Sequence, residues 1–177
     1  MRTPPSQWTK WRRLDKQYCM HRHDHEPWMK RCLALARAAR ARHYPAVGSL
    51  IVLDGVVLAE GEEGDGSLPV PLAHAEAVAV VKALGQVAAG QLSRATLYTT
   101  VEPCLMCAYL IRKAGIGTVV YGTETAGAGG VSSPYPILTA PDISRWGIPP
   151  RVVRGILEEQ CRELMNGQVP RREPKAP

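Results

Sequence analysis

Apolar positions along the chain fall into one helical stripe, several short extended runs and three further helical stretches. From Pro27 to Arg42, Trp28, Cys32, Leu35 and Ala39 recur on one face and the arginines lie mostly elsewhere, which predicts a helix. Val47–Leu53 and Val56–Ala59 read as strands joined by Asp54-Gly55, a two-residue hairpin signal. Glu60 to Pro71 reads as a loop. Ala73–Leu84 has no breaker and carries Val78, Val81 and Leu84 at helical spacing, so a second helix is expected there. Ala95–Thr100 is the third expected strand. Pro103 then fits the first turn of a helix that runs to Ala114 and stops at Gly115. Thr118–Tyr121 and Arg151–Arg154 complete the strands, and a last helix is expected near Leu157–Met165.

Strand, helix, strand, helix, strand predicts an α/β fold with parallel neighbours and helices packed over the sheet. Two of the helices begin at strand ends, which brings their first turns to one edge of the sheet, where open α/β sheets hold their sites. The 177 residues suit one domain, and with no Phe its core has to be built from Val, Leu, Ile and Ala. The stretch from Thr123 to Pro150 has the weakest pattern. Its Gly-rich Ala126–Gly130 and its bulky Tyr135 and Trp146 predict a lid or wall against a substrate; the plainer reading is that both rings cover apolar surface.

Charge changes the picture only once it is located. The net +6 sits mostly at the ends: residues 1–22 hold six Lys/Arg against Asp15, and residues 167–177 hold Arg171, Arg172 and Lys175 against Glu173. Residues 23–166 carry 13 basic and 14 acidic side chains, which is not the footprint of a protein that grips phosphate along its body. Only the first helix leans basic, through Lys30, Arg31, Arg37, Arg40 and Arg42. The expected organisation is a basic extension over 1–25, one domain over 26–166 and a tail over 167–177. The extension carries Trp8, Trp11 and Tyr18, which can pack on the domain or stack on nucleic acid, and packing is the preferred reading. No apolar run approaches the roughly 20 residues of a membrane span, and the N-terminus lacks the apolar region of a secretory signal. Cys19, Cys32 and Cys161 are an odd set outside the chemistry below, which argues for a reducing cytoplasm. Cys19-Met-His21-Arg-His23-Asp-His25 has metal-binding residue types, but alternating His near a terminus is more often exposed to solvent.

The chemistry is concentrated in His74-Ala-Glu76 and Pro103-Cys104-Leu-Met-Cys107. Cys104 and Cys107 are one helical turn apart at a helix start, where the dipole favours thiolate, and two thiolates are half of a tetrahedral zinc site. His74 and Glu76, two residues apart, point in different directions, so one can bind metal while the other faces an open position. Three protein ligands with a fourth corner left for water is the catalytic pattern. H-x-E and C-x-x-C are each weak alone; in this order, each opening a helix, they are the signature of zinc-dependent deaminases.

Through Ala73-His-Ala-Glu76 and Thr96-Leu-Tyr-Thr-Thr-Val-Glu-Pro-Cys-Leu-Met-Cys107 the chain resembles the cytidine deaminase-like superfamily. It looks most like the branch containing tRNA adenosine deaminases and guanine deaminases. Weaker similarity continues through Gly117–Gly122 and Arg151–Cys161. The resemblance implies a three-layer α/β/α sandwich with a five-stranded mixed sheet and one zinc per chain held by His74, Cys104 and Cys107. It also implies Glu76 as the proton shuttle and a homodimer formed through the Cys-helix region. Where relatives usually carry an Asn that hydrogen-bonds the base, this sequence aligns Glu63, which when ionised offers acceptors only. Glu102, in a family-typical position, is expected either at the substrate or fixing the turn before Pro103. The leading expectation is a zinc aminohydrolase acting on a small free heterocycle. The alternative is a tRNA or single-stranded nucleic-acid deaminase whose basic tails and first helix hold phosphate. A zinc module without turnover would have no need of Glu76.

Overall fold

The computed structural model describes residues 7–88 and 90–167, with side chains from Asp24 onward except that of Ser144. In chain order the elements are α1 (Gln7–Ala41), β1 (Gly48–Leu53), β2 (Val56–Glu62), α2 (Ala75–Leu84), β3 (Thr96–Val101), α3 (Leu105–Ala114), β4 (Thr118–Thr123), β5 (Arg151–Arg154) and α4 (Glu158–Asn166). The strands make one mixed sheet in the order β2-β1-β3-β4-β5.

Strand alternation builds the two sides of the sandwich. Leu50, Val52, Tyr98, Val120 and Val153 point to the face covered by α1 and α4, where they meet Met29, Cys32, Leu33 and Cys161. Their neighbours Ile51, Leu97 and Val119 point the other way, onto Ala79, Val80 and Ala83 of α2 and Ala108 and Ile111 of α3. Both layers are aliphatic, as a Phe-free sequence requires. At the hairpin, Asp54 and Gly55 have φ of 51° and 79°, the paired left-handed residues of the turn that matches strand twist.

Three expectations change. The first helix does not start at Pro27 but runs through it from Gln7. Proline removes one backbone hydrogen bond and bends a helix, and with neither Gly nor Pro between residues 7 and 26 nothing else halts it. β2 extends to Glu62, because Gly61 and Glu62 find partners in Ser49 and Gly48 that local composition does not reveal. β3, β4 and β5 are parallel neighbours as expected, but β2 and β3 are separated by β1, antiparallel to both. Of the Cys19–His25 segment, the side chains of Cys19, His21 and His23 lie outside the described residues, and His25 Nδ1 is 2.9 Å from the Tyr98 hydroxyl. Cys32 and Cys161 are free and buried.

Candidate active site

The site is made where two helices begin. His74 and Cys104 are the N-cap residues of α2 and α3, with extended backbones (φ −73°, ψ 142° and φ −66°, ψ 172°), one residue ahead of the first-turn positions expected. An N-cap side chain usually accepts an N–H of its own helix, and neither of these does. The first N–H of each helix is satisfied from elsewhere: Ala75 N–H donates to Glu63 Oε2 at 3.1 Å, and Leu105 N–H to the Ala128 carbonyl at 3.1 Å. The two side chains are left to meet each other, with Cys104 Sγ 3.6 Å from His74 Nδ1.

Cys107, one turn into α3 and buried, completes a set of three donors whose ligand atoms all lie within 4.8 Å of one another. A tetrahedral ion bonded at about 2.0–2.1 Å to nitrogen and about 2.3 Å to sulfur has donor edges of roughly 3.5–3.8 Å. The His74–Cys104 separation matches that edge, so the residues present fit zinc in both chemistry and spacing. Of the three donors only Cys104 is already in its metal-binding form, so His74 and Cys107 would give up protons as a metal binds. A hydrogen bond from the Cys107 thiol, followed by one from His74, brings Cys104 down to about 4, while the same Cys104 contact and burial push Cys107 up. His74 is raised to about 9, chiefly by its hydrogen bond to Cys104. Cys104 is thus held as thiolate, the form that binds metal.

Glu76 lies beneath this set and is 4% exposed. Thr99 Oγ1 of β3 donates to its Oε1 at 3.0 Å, and Oε2 is 3.7 Å from Cys107 Sγ. Burial raises the carboxyl to about 7. One oxygen is fixed by Thr99 and the other is turned towards Cys107.

The remaining predicted residues separate. Glu63 stands at the site's edge, half-buried beside His74, where its Oε2 holds the start of α2. Burial raises its carboxyl above the usual range. Glu102 is tied into the loop after β4. It is 2% exposed, and its oxygens accept four donors from one loop: the Val131 and Ser132 N–H groups at 2.8 and 2.7 Å, the Ser132 hydroxyl at 2.6 Å and the Thr125 N–H at 3.2 Å. Trp146 packs edge-on against Tyr109 of α3 with ring centroids 5.3 Å apart, so it covers helix surface. Tyr135 is 66% exposed.

No pattern in the sequence marks Arg112, which organises the other half of the 123–150 stretch. It is 2% exposed and donates to the carbonyls of Ile137 and Ala140 at 2.8 and 2.7 Å, of Ile143 at 3.3 Å and of Gly147. In sequence it reads as one more polar residue near a helix C-terminus. Arg112→Met is expected to leave those carbonyls without their donor and to lower stability by about 3 kcal/mol or more. The urea midpoint measures this; a change below about 1 kcal/mol would mean water replaces the guanidinium.

Comparison with known proteins agrees with this geometry. The family described as cytidine and deoxycytidylate deaminase zinc-binding region matches residues 22–123. The tRNA-specific adenosine deaminase of Streptococcus pyogenes serotype M1 is 32% identical over 138 residues, covering 78% of this chain and 79% of that protein. A solved structure from work on A-to-I editing by tRNA:A34 deaminases at the wobble position is 33% identical. Its TM-score is 0.67, over 80% of this chain and 99% of that one. Guanine deaminase from Bacillus subtilis is 39% identical with a TM-score of 0.52, over 56% of this chain and 64% of that one.

Proposed function

From the premise that this chain belongs to the cytidine and deoxycytidylate deaminase zinc-binding family, and is therefore a zinc-dependent hydrolytic deaminase, we propose that it acts on a small amino-substituted ring. The substrate class is a free nucleobase, a nucleoside or a related heterocycle, and the product leaves with ammonia. In this reading His74, Cys104 and Cys107 would hold the zinc, which would supply Lewis acidity and bring a water's pKa from about 15.7 to near 7.

Glu76 is the catalytic acid and base. Its Oε2 takes a proton from the attacking water and delivers it to the ring nitrogen, then takes the second proton from the added hydroxyl and delivers it to the amine, which leaves as ammonia as the ring carbonyl forms, while Thr99 keeps Oε1 and the rotamer fixed. The observation that carries the assignment is that carboxyl group: buried, tied at one oxygen, and beside Cys107 of the three-donor set at the other. A proton carrier whose pKa lies near the working pH is the efficient one. Glu63 is proposed as the selective contact at the rim, because its acceptor-only carboxylate suits a ring edge that presents N–H groups.

The electrostatics of the rim support a small ring over a polynucleotide. Glu60, Glu62, Glu63 and Asp65 lie along the approach to α2, and the cations nearby are already engaged: Arg31 pairs with Glu60, Arg42 with Glu62 at 2.7 Å, and Lys82 with Asp65 at 2.7 Å. Phosphate binding needs cations free to release counterions. The second reading, a nucleic-acid deaminase, is favoured by the likeness to tRNA-specific adenosine deaminases. Met106 and Tyr109, exposed on α3, support a homodimer formed through the helix that carries the cysteines. Among the described residues no helix is long and apolar enough to cross a membrane, and a cytoplasmic location is proposed from the free thiols.

An ammonia assay over aminated bases, nucleosides and RNA, repeated across salt, tests the choice. We expect turnover of a free ring with little salt dependence, and a changed substrate profile in Glu63→Gln. Activity confined to RNA, falling steeply as salt rises, would establish the second reading instead.

A further inference from the structure

We infer that Glu102 is a positioning residue for the metal centre, acting through the loop over residues 125–132 to hold the backbone that presents Cys104. The inference rests on the reading of Cys104 as a zinc ligand. Glu102 follows the last residue of β3 and lies two residues before Cys104. Its carboxylate makes no contact with the three-donor set; all four of its hydrogen bonds go to residues 125, 131 and 132. Those bonds fold the loop back over the carboxyl group. The approach is so close that a Cβ on Gly129 would overlap the Glu102 carboxyl, so a larger residue there would push that carboxyl out of its hydrogen bonds.

The folded-back loop then pairs with the segment that opens α3. Gly129 bridges to Cys104 in antiparallel fashion, the Ala128 carbonyl accepts the Leu105 N–H at 3.1 Å, and the Gly130 N–H donates to the Pro103 carbonyl at 2.8 Å. A Cβ on Gly130 would overlap that of Ala108, so the loop is also seated against the next turn of the helix. The consequence for the ligand is specific. The loop thus satisfies the first N–H of α3 and ties the backbone on both sides of Cys104 to residues 128–130. Removing the loop's anchor frees the Pro103–Leu105 backbone, and the Cys104 thiolate it carries, to move. Outer contacts of this kind typically alter metal affinity 10–100-fold.

The test is zinc release from the full-length holoprotein to the chelator 4-(2-pyridylazo)resorcinol, followed by absorbance. Glu102→Gln keeps the side chain's size but removes its charge and offers an amide to N–H donors; zinc release is expected to be roughly 10–100 times faster. Ser132→Ala removes a single donor and is expected to speed release at least about threefold, so it decides the matter if Glu102→Gln does not fold. A purely architectural role would lower the melting temperatures of the zinc-free proteins without touching the ligand field. The visible absorption of the cobalt(II)-substituted proteins should therefore shift in Glu102→Gln, reporting a displaced thiolate. Wild-type release rates and an unchanged cobalt spectrum in both variants would overturn the inference. Failure of the underlying reading looks different: the wild-type protein would hold no stoichiometric zinc, or Cys104→Ala would hold as much.

Discussion

Glu76→Gln is expected to reduce ammonia release by at least 10²–10⁴-fold while leaving zinc content and fold intact. The substitution is nearly isosteric, and the amide oxygen can still accept the Thr99 hydroxyl that now holds Oε1 at 3.0 Å. What it cannot do is take a proton from water and pass it on. In the zinc-free protein the stability change should be small and favourable. Burial there raises the Glu76 carboxyl to about 7, so its ionised form is disfavoured in the folded protein relative to the unfolded chain. A neutral amide removes that opposition above neutral pH, and the melting temperature of the chelator-treated protein should stay level or rise. Ammonia assay and zinc content on the loaded protein, with a thermal melt of the zinc-free one, check all three. A variant with more than a tenth of wild-type turnover would remove Glu76 from its role, and one that lost zinc would make it a ligand or a support for one.

The zinc chemistry was legible because it is local. His74 and Glu76, and Cys104 and Cys107, are separated by two and three residues, and helix geometry alone relates the members of each pair. That both pairs meet also followed from local signals, since each helix begins at the end of a strand in the same sheet. The one-residue shift that makes His74 and Cys104 N-caps was not legible, because it depends on which distant groups satisfy the first N–H of each helix. These are Glu63 for α2 and Ala128 for α3. The 123–150 stretch failed for the same reason, enlarged. Its shape is imposed by two buried charges, Glu102 and Arg112, whose partners lie 23 to 35 residues away. No period or turn signal encodes such a distance. Trp146 and Tyr135 drew attention by size and Glu102 by its place beside the cysteines, whereas Arg112 reads as an ordinary surface charge.

The acidic run from Glu60 to Asp65 shows how one segment can serve fold and selectivity together. Its carboxylates tie α1 and α2 to the edge strand through Arg31, Arg42 and Lys82, and Glu63 also closes the start of α2. The same residues leave the rim beside His74 short of free cations. Exposed pairs of this kind add little stability each, about 0–1 kcal/mol, so their larger effect is on what approaches the site.

Cys104→Ala is expected to abolish stoichiometric zinc binding and, with it, all activity and the part of the stability that zinc contributes. Two remaining donors leave the ion half-coordinated, whereas the catalytic pattern requires three. Zinc stabilises only the folded chain that assembles the site, by about 2.7 kcal/mol when free metal is 100 times its dissociation constant and about 4.1 at 1,000 times. The sharper expectation concerns the comparison with zinc-stripped wild type. Replacing a capping residue by Ala usually costs about 1 kcal/mol, but Cys104 makes no cap hydrogen bond, and the N–H beside it already has the Ala128 carbonyl. Chelator-treated wild type and Cys104→Ala should therefore unfold within about 1 kcal/mol of each other, and both well below the zinc-loaded protein. Equal melting of the loaded wild type and the variant would mean zinc adds nothing to the fold. A variant melting far below the stripped wild type would mean that the thiolate, rather than the metal, holds the two helix starts together.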